Sequence, residues 1–106
     1  PRWFRPPHGS LTRSMVGEAT RLGMETVLWS RSAIDWGPFA SREAITRRLD
    51  RMAAGDIVLM HDARRRHNHP EVTAALLPDL LALLAERDLA PVSLDSAGIR
   101  DARTTA

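Results

Sequence analysis

The sequence predicts an α/β fold, because short apolar segments alternate with longer segments of helical periodicity over most of its 106 residues. Predicted strands lie at 3–5, 26–29, 57–60 and 91–94, and one helical pattern lies in each interval between them. The order β-α-β-α-β-α-β with short connections indicates parallel strands joined by right-handed crossovers. Such an array makes about half of a (β/α) barrel, or else a small open sheet of its own.

The first helix is predicted over 11–22, after a strand at 3–5 that a Pro-Pro pair ends. Ser10 is in position to cap the helix N-terminus with its hydroxyl, and Gly23 to end the helix at the C′ position. The next segment, 26–29, is too apolar for a half-exposed strand, so we expect a buried one.

The second helix follows a polar loop, and Ser41 is predicted to cap it. Helical spacing places three apolar side chains on its inner face: Ile45, Leu49 and Met52. Gly55 and Asp56 then turn the chain into the strand at 57–60.

The third helix begins near Pro70, and Pro78 inside it is expected to produce a kink. A strand at 91–94 follows it, and residues 97–106 have the character of a tail. The structured part of the chain is therefore expected to be residues 1–96.

Composition excludes several classes of site. The chain has no cysteine, so disulfides and thiolate metal sites are excluded. All 15 basic residues are arginine, which explains a pI near 10.9 at a formal charge of only +2. No apolar run approaches the roughly 20 residues that a membrane-spanning helix needs. The first residues resemble neither an initiator methionine nor a signal peptide, so we expect an internal start with any targeting segment elsewhere.

Three short segments place polar or aromatic side chains where a predicted strand ends. They are Phe-Arg-Pro-Pro-His-Gly at 4–9, Ser-Ala-Ile-Asp-Trp at 32–36 and Ile-Val-Leu-Met-His-Asp at 57–62. The carboxyl ends of parallel strands lie on one rim, where α/β proteins carry their active sites. We therefore expect the three segments to contribute to one site.

In this order, Arg-Pro-Pro-x-Gly, Asp-Trp and Leu-x-His resemble the third, fourth and fifth motifs of the polysaccharide deacetylases (carbohydrate esterase family 4, NodB-type). The resemblance covers nearly the whole chain. It implies that residues 1–96 are the C-terminal part of such a catalytic domain, half of a distorted (β/α) barrel. The family's first two motifs, Asp-Asp and His-x-x-x-His, are absent from the chain, so the fragment alone is expected to be inactive.

The activity implied is hydrolysis of carbon–nitrogen bonds, which removes acetyl groups from N-acetylated (or O-acetylated) polysaccharides or oligosaccharides. His61 would be the general acid, since an imidazole that titrates near pH 6.5 can protonate a departing amine. Asp35 would orient the His61 ring and favour its protonated form. Arg5 would pair with the aspartate base of the missing half, and Trp36 and Leu59 would line the pocket for the acetyl methyl group.

The resemblance also implies a substrate-facing position for Pro7, His8 and Gly9. His8 stands where the family often has tyrosine, and Ser32 stands at a position that is frequently acidic. Zinc or another divalent metal is implied for the complete enzyme. Its ligands are not in this chain, and no metal-binding residue is predicted here.

Each role has a simpler structural alternative. A histidine that ends an apolar strand is often only a hydrogen-bonded part of the structure, and Asp35 could be a turn residue. Arg5 could stack on Trp3 or pair at the surface, and Trp36 could pack in the core.

The loop Arg64-Arg65-Arg66-His67-Asn68-His69 supports a different hypothesis. Two histidines one residue apart could bind a metal, and three arginines could bind phosphate. A solvated loop at the rim of the site is the favoured interpretation. The alternative function is a stand-alone α/β module that binds anions or nucleic acid through Arg64–Arg66. A third hypothesis is a degenerate, non-catalytic member of the deacetylase superfamily.

The expected partner is an acetylated polysaccharide or oligosaccharide, without nucleic acid and without a membrane segment in this chain. A half-barrel would leave the outer edges of the strands at 3–5 and 91–94 unpaired. We therefore expect self-association or pairing with the missing N-terminal half. The resemblance favours an extracytoplasmic or cell-wall-associated location.

Overall fold

The computed structural model describes residues 1–96, and the predicted tail at 97–106 lies outside the described residues. The chain divides into two compact units, one of Pro1–Ser30 with residues 93–96 and one of Arg31–Val92. The elements in chain order are β1 (Trp3–Phe4), α1 (Arg13–Arg21), β2 (Glu25–Thr26), β3 (Arg31–Ser32), α2 (Arg42–Leu49), β4 (Val58–Leu59) and α3 (Pro70–Glu86).

The first unit is a β-α-β arrangement in which β1 and β2 pair in parallel. Thr12, not Ser10, caps α1, and its hydroxyl accepts the N–H of Met15 at 3.2 Å. The prediction of Ser10 is wrong because Ser10 ends the 3-10 turn Pro7–Gly9, where its N–H donates to the carbonyl of Pro7, and α1 begins only at Arg13.

The end of α1 confirms the prediction for Gly23, which has a φ of 76°. The N–H of Gly23 donates to the carbonyl of Thr20, and the N–H of Met24 donates to the carbonyl of Ala19 at 2.8 Å. This pair of bonds is a Schellman motif, which needs a left-handed residue where Gly23 lies.

The second unit pairs β3 with β4 in parallel and packs α2 against α3. Ser41 caps α2 as predicted, since its Oγ accepts the N–H of Ala44 at 3.2 Å. Ile45 and Leu49 form the inner face as predicted, and Met52 is buried too, although it lies after the end of α2. The buried core consists of Ala33, Ile45, Leu49, Met52, Leu76 and Leu80.

The α/β class with parallel strands and three helices is confirmed, but the predicted strands differ from those observed. In the described residues the strands form two separate two-stranded sheets. Of the predicted strand at 26–29, only Thr26 lies in β2, which pairs with β1. Arg31–Ser32, predicted as loop, pairs with β4.

The predicted strand at 91–94 is wrong. Pro91 has no N–H to donate to a ladder. Two residues later the chain turns, because the carbonyl and the hydroxyl of Ser93 both accept the N–H of Ser96. The unpaired edge expected at this strand is therefore absent.

Helix α3 continues from Pro70 to Glu86 through Pro78, and the kink at Pro78 stays a prediction. Between residues 1 and 96, no helix combines the length and the apolar character needed to cross a membrane.

Candidate active site

A buried carboxylate and an imidazole meet beyond the carboxyl ends of β3 and β4. Asp35 follows β3 and His61 follows β4, and because these strands are parallel both residues leave the same edge. Asp35 Oδ1 lies 2.7 Å from His61 Nδ1, and Asp35 Oδ2 accepts the main-chain N–H of His61 at 2.6 Å. One carboxylate therefore holds both the ring and the backbone of His61.

Asp35 is ionised although its side chain is only 1% exposed. Burial alone would raise the pKa of Asp35, but hydrogen bonds from the ring and the N–H of His61 and from the hydroxyl of Thr73 lower it below its usual value. An ionised carboxylate can only accept, so Nδ1 of His61 is the donor. Nε2, on a ring that is 32% exposed, is then the atom that can exchange a proton.

The residue before Asp35 has an unusual backbone conformation. Ile34 has a φ of 46°, which is a real outlier for a β-branched residue. Its N–H donates to the hydroxyl of Ser32 at 3.2 Å, and the Arg48 guanidinium donates to the carbonyls of Ala33 and Ile34. Such a conformation costs about 1–3 kcal/mol. The chain holds it at the position that delivers the carboxylate.

The loop after β4 is fastened to the segment 35–37. The carbonyl of Asp35 accepts the N–H of His69 at 3.0 Å, and the N–H of Gly37 donates to the carbonyl of His67 at 2.7 Å. His69 Nε2 lies 2.8 Å from the carbonyl of Gly37. The ring of His69 is therefore engaged in holding the loop.

The arginines of this loop fit the interpretation as a solvated surface. Arg64 pairs with Glu71 at 3.1 Å, and Arg65 and Arg66 are exposed.

Trp36 is 46% exposed, so the alternative of core packing is wrong for this residue. Leu59 is partly buried at the end of β4, two residues before His61. Both side chains lie in the unit that holds the Asp35–His61 pair.

The first unit holds the other predicted site residues. Arg5 donates from Nε to the carbonyl of Val27 at 3.3 Å and from Nη2 to the carbonyl of Leu28 at 3.1 Å. Its guanidinium lies 5.8 Å from the ring centroid of Trp29. The alternative that Arg5 stacks on Trp3 is wrong, because Arg2 takes that position at 4.5 Å from the centroid.

The turn after Arg5 requires a glycine at position 9. Gly9 has a φ of 67°, and a Cβ added there would overlap the ring of Trp29. Pro7 and His8 are exposed in the same turn. The substrate-facing role of all three residues stays a prediction.

The structure thus brings Asp35 and His61 into direct contact, with Trp36 and Leu59 in the same unit. Arg5 and the turn Pro7–Gly9 belong to the other unit, so the single site expected from the three segments stays a prediction.

Thr73 is the residue of this site that the sequence does not indicate. The only feature of the sequence that could have pointed to it is a hydroxyl side chain among the apolar residues of α3.

The described residues do not fit a metal ion. In the range 1–96, no three imidazole, carboxylate or thiolate side chains come together in a way that could hold one.

Comparison with known proteins gives relatives that are deacetylases or carbohydrate esterases. The chain is 32% identical over 83 residues to the peptidoglycan-N-acetylglucosamine deacetylase of Bacillus cereus, an alignment that covers 76% of this chain and 39% of that protein. Its fold matches a family 4 carbohydrate esterase from Streptomyces lividans, solved with acetate, with a TM-score of 0.76 and 30% identity. The resemblance to carbohydrate esterase family 4 is confirmed. The match to the Streptomyces lividans esterase covers 89% of this chain and 45% of the esterase.

A family 4 pseudoenzyme from Bacillus anthracis matches equally well. Its TM-score is 0.76 at 28% identity, over 91% of this chain and 32% of the pseudoenzyme. The chain therefore spans less than half of each of these proteins, and similarity of fold does not by itself establish catalysis. No protein-family model matches the chain.

Proposed function

We propose that this chain is the C-terminal part of the catalytic domain of a metal-dependent deacetylase, in which it forms half of a distorted (β/α) barrel. The domain removes acetyl groups from N-acetylated or O-acetylated polysaccharides or oligosaccharides. The Asp35–His61 pair carries the proposal, because a partly exposed imidazole fixed by a buried carboxylate is suited to general acid catalysis.

His61 supplies the proton for the leaving group. Asp35 holds a proton on Nδ1, which leaves Nε2 as the atom that carries the transferable proton. As the bond between the acetyl carbon and the leaving nitrogen breaks, that nitrogen takes the Nε2 proton and departs as a neutral amine. Water, which gives one proton to a base outside this chain, adds its oxygen to the acetyl carbon, so the acetyl group leaves as acetic acid and ionises to acetate. His61 is left neutral.

Arg5 steers the general base, an aspartate outside this chain. Its Nε and Nη2 are engaged by main-chain carbonyls, whereas Nη1 makes no hydrogen bond to residues 1–96. Nη1 is thus available to a carboxylate, which a neighbouring guanidinium keeps ionised.

The remaining predicted residues shape the substrate pocket. Trp36 and Leu59 form its apolar wall for the acetyl methyl group, and Pro7, His8 and Gly9 face the sugar. The ligands of zinc, or of another divalent ion, come from residues outside this chain, so the isolated chain is inactive. The complete domain pairs these residues with its N-terminal half and acts outside the cytoplasm or at the cell wall.

The test compares the isolated chain with the complete domain, using acetate release from chitooligosaccharide and from acetylated xylan. We expect release by the complete domain alone, and a loss of about 10²–10⁴-fold in kcat for His61→Ala. His67→Ala, which changes an exposed histidine of the same unit, is the control and should keep full activity.

Zinc-dependent acetate release by the isolated chain would contradict the assignment as a fragment. An inactive complete domain with intact upstream motifs would favour the degenerate member instead. The alternative of a nucleic-acid-binding module gains no support, since Arg64 is paired with Glu71 and the relatives described are esterases and deacetylases.

A further inference from the structure

The carboxylate of Asp35 has a third donor besides His61. The hydroxyl of Thr73 donates to Asp35 Oδ2 at 2.8 Å, and Thr73 is only 7% exposed. Oδ2 therefore accepts two hydrogen bonds, from Thr73 and from the N–H of His61, and Oδ1 accepts the one from the ring.

Thr73 is held in place by the backbone around it. It lies in the first turn of α3, where its N–H donates to the carbonyl of His69 at 3.3 Å. The N–H of His69 in turn donates to the carbonyl of Asp35 at 3.0 Å. The start of α3 is thus tied to both the main chain and the side chain of Asp35, at a helix end that favours negative charge.

The direction of this hydroxyl is distinctive among the helical threonines described. Thr20 and Thr46 donate to carbonyls four residues earlier in their own helices, at 2.9 and 2.8 Å. That bond is the usual one for a threonine inside a helix. Thr73 donates across to another element instead, so its hydroxyl serves the carboxylate and not its helix.

The two oxygens of a carboxylate are chemically equivalent, so what its neighbours determine is the orientation of the carboxylate plane relative to the imidazole. Asp35 is almost fully buried, and water cannot easily replace a lost donor there. We propose that Thr73 is a positioning residue that acts through Asp35, fixing the orientation of the carboxylate so that one of its oxygens stays directed at His61 Nδ1 and Nε2 remains the proton-exchanging atom. Its relevance to catalysis rests on the proposed deacetylase function.

The first test uses nuclear magnetic resonance on the chain itself. Thr73→Val keeps the volume and removes the hydroxyl, Thr73→Ser restores the hydroxyl, and Thr46→Val is the matched control at a helical threonine that bonds within its helix. We expect Thr73→Val to raise the pKa of Asp35 and to reduce the population of His61 protonated at Nδ1. Thr73→Ser and Thr46→Val should resemble the wild type.

The proposal is overturned if Thr73→Val changes neither the pKa of Asp35 nor the population of His61 protonated at Nδ1. It is also overturned if Thr73→Ser behaves like Thr73→Val. A measurement without substitution covers the case in which the valine variant does not fold. The hydroxyl proton of Thr73 should exchange with water at least about tenfold more slowly than that of the exposed Thr46, because its partner is buried and charged. Equal exchange rates would also overturn the proposal.

The second test measures the same variants in the complete domain. Thr73→Val should lower kcat roughly tenfold with little change in KM, and Thr73→Ser should recover most of it, since the affected interaction acts on proton transfer. An unaffected kcat overturns the positioning role. If His61→Ala leaves the domain fully active, the deacetylase mechanism fails instead, and the resonance result still decides what Thr73 does to Asp35.

Discussion

Replacing Asp35 with asparagine probes the buried pair most directly. The substitution keeps the volume and one acceptor oxygen but removes the charge. The asparagine oxygen can still accept from the N–H of His61 and the hydroxyl of Thr73, which both use Oδ2 in the wild type. The amide nitrogen then faces His61 Nδ1, so the ring must release its Nδ1 proton or lose the contact.

The expected cost follows from counting these contacts. A hydrogen bond to a charged group contributes about 1.5–3 kcal/mol, and breaking a fully buried ion pair costs about 3–5 kcal/mol. Here one of three charge-assisted hydrogen bonds is lost or replaced by a neutral one, and the His61 ring is 32% exposed. We therefore expect Asp35→Asn to lower the free energy of unfolding by about 1.5–3 kcal/mol at pH 7.

The pH dependence gives the sharper criterion. The pKa of Asp35 is lower in the folded chain than in the unfolded one. Its ionisation therefore stabilises the fold above the unfolded-state pKa of about 3.9, and that stabilisation is lost as the pH falls through the folded-state pKa. The difference between wild type and Asp35→Asn should be complete at pH 7 and shrink steadily below about pH 4.

Urea unfolding, followed by tryptophan fluorescence from pH 7 to pH 3, measures this difference. Asp50→Asn is the control, because Asp50 forms an exposed ion pair with Arg87 at 2.9 Å. The control should cost about 0–1 kcal/mol. The reasoning is refuted if Asp35→Asn costs no more than Asp50→Asn, or if its cost at pH 3 equals its cost at pH 7.

Two further predictions concern the first unit, and both are measured by urea unfolding. Gly9→Ala should cost about 2–4 kcal/mol, because the residue has a positive φ and the new methyl meets Trp29, whereas Gly23→Ala, with open space around it, should cost about 1–2 kcal/mol. Equal costs at the two glycines would contradict the close approach of Trp29. Thr12→Ala should cost about 1 kcal/mol through loss of the α1 cap, and Ser10→Ala should cost almost nothing. The reverse order would restore Ser10 as the cap.

The sequence predicted best what depends on a few neighbouring residues. Ser41 and Gly23 are recognised because capping chemistry is local, and the inner face of α2 follows from helical periodicity. Thr12 and Ser10 are both acceptable caps by type. A 3-10 turn before them decides between the two, and the sequence pattern does not reveal that turn.

Features that depend on distant residues were not predicted. Arg31–Ser32 is polar, so no apolar pattern marks it as a strand, and only its pairing with β4 makes it one. The segment 91–94 is apolar but forms no ladder in the described residues. In the site, motif order indicated Asp35 and His61, whereas Thr73 is 38 residues from the carboxylate that it contacts, and no local signal connects them.

The attachment of the loop after β4 to the segment 35–37 has a consequence for how this protein can diversify. Because the loop is anchored by β4 at its start and by the bonds of residues 67–69 to the main chain of residues 35–37 at its end, a change of length between residues 62 and 66 leaves both anchors in place. Doubling the length of a flexible loop costs only about 0.6 kcal/mol. Insertions or new side chains can therefore accumulate in that stretch, changing the surface around the site while Asp35 and His61 keep their geometry.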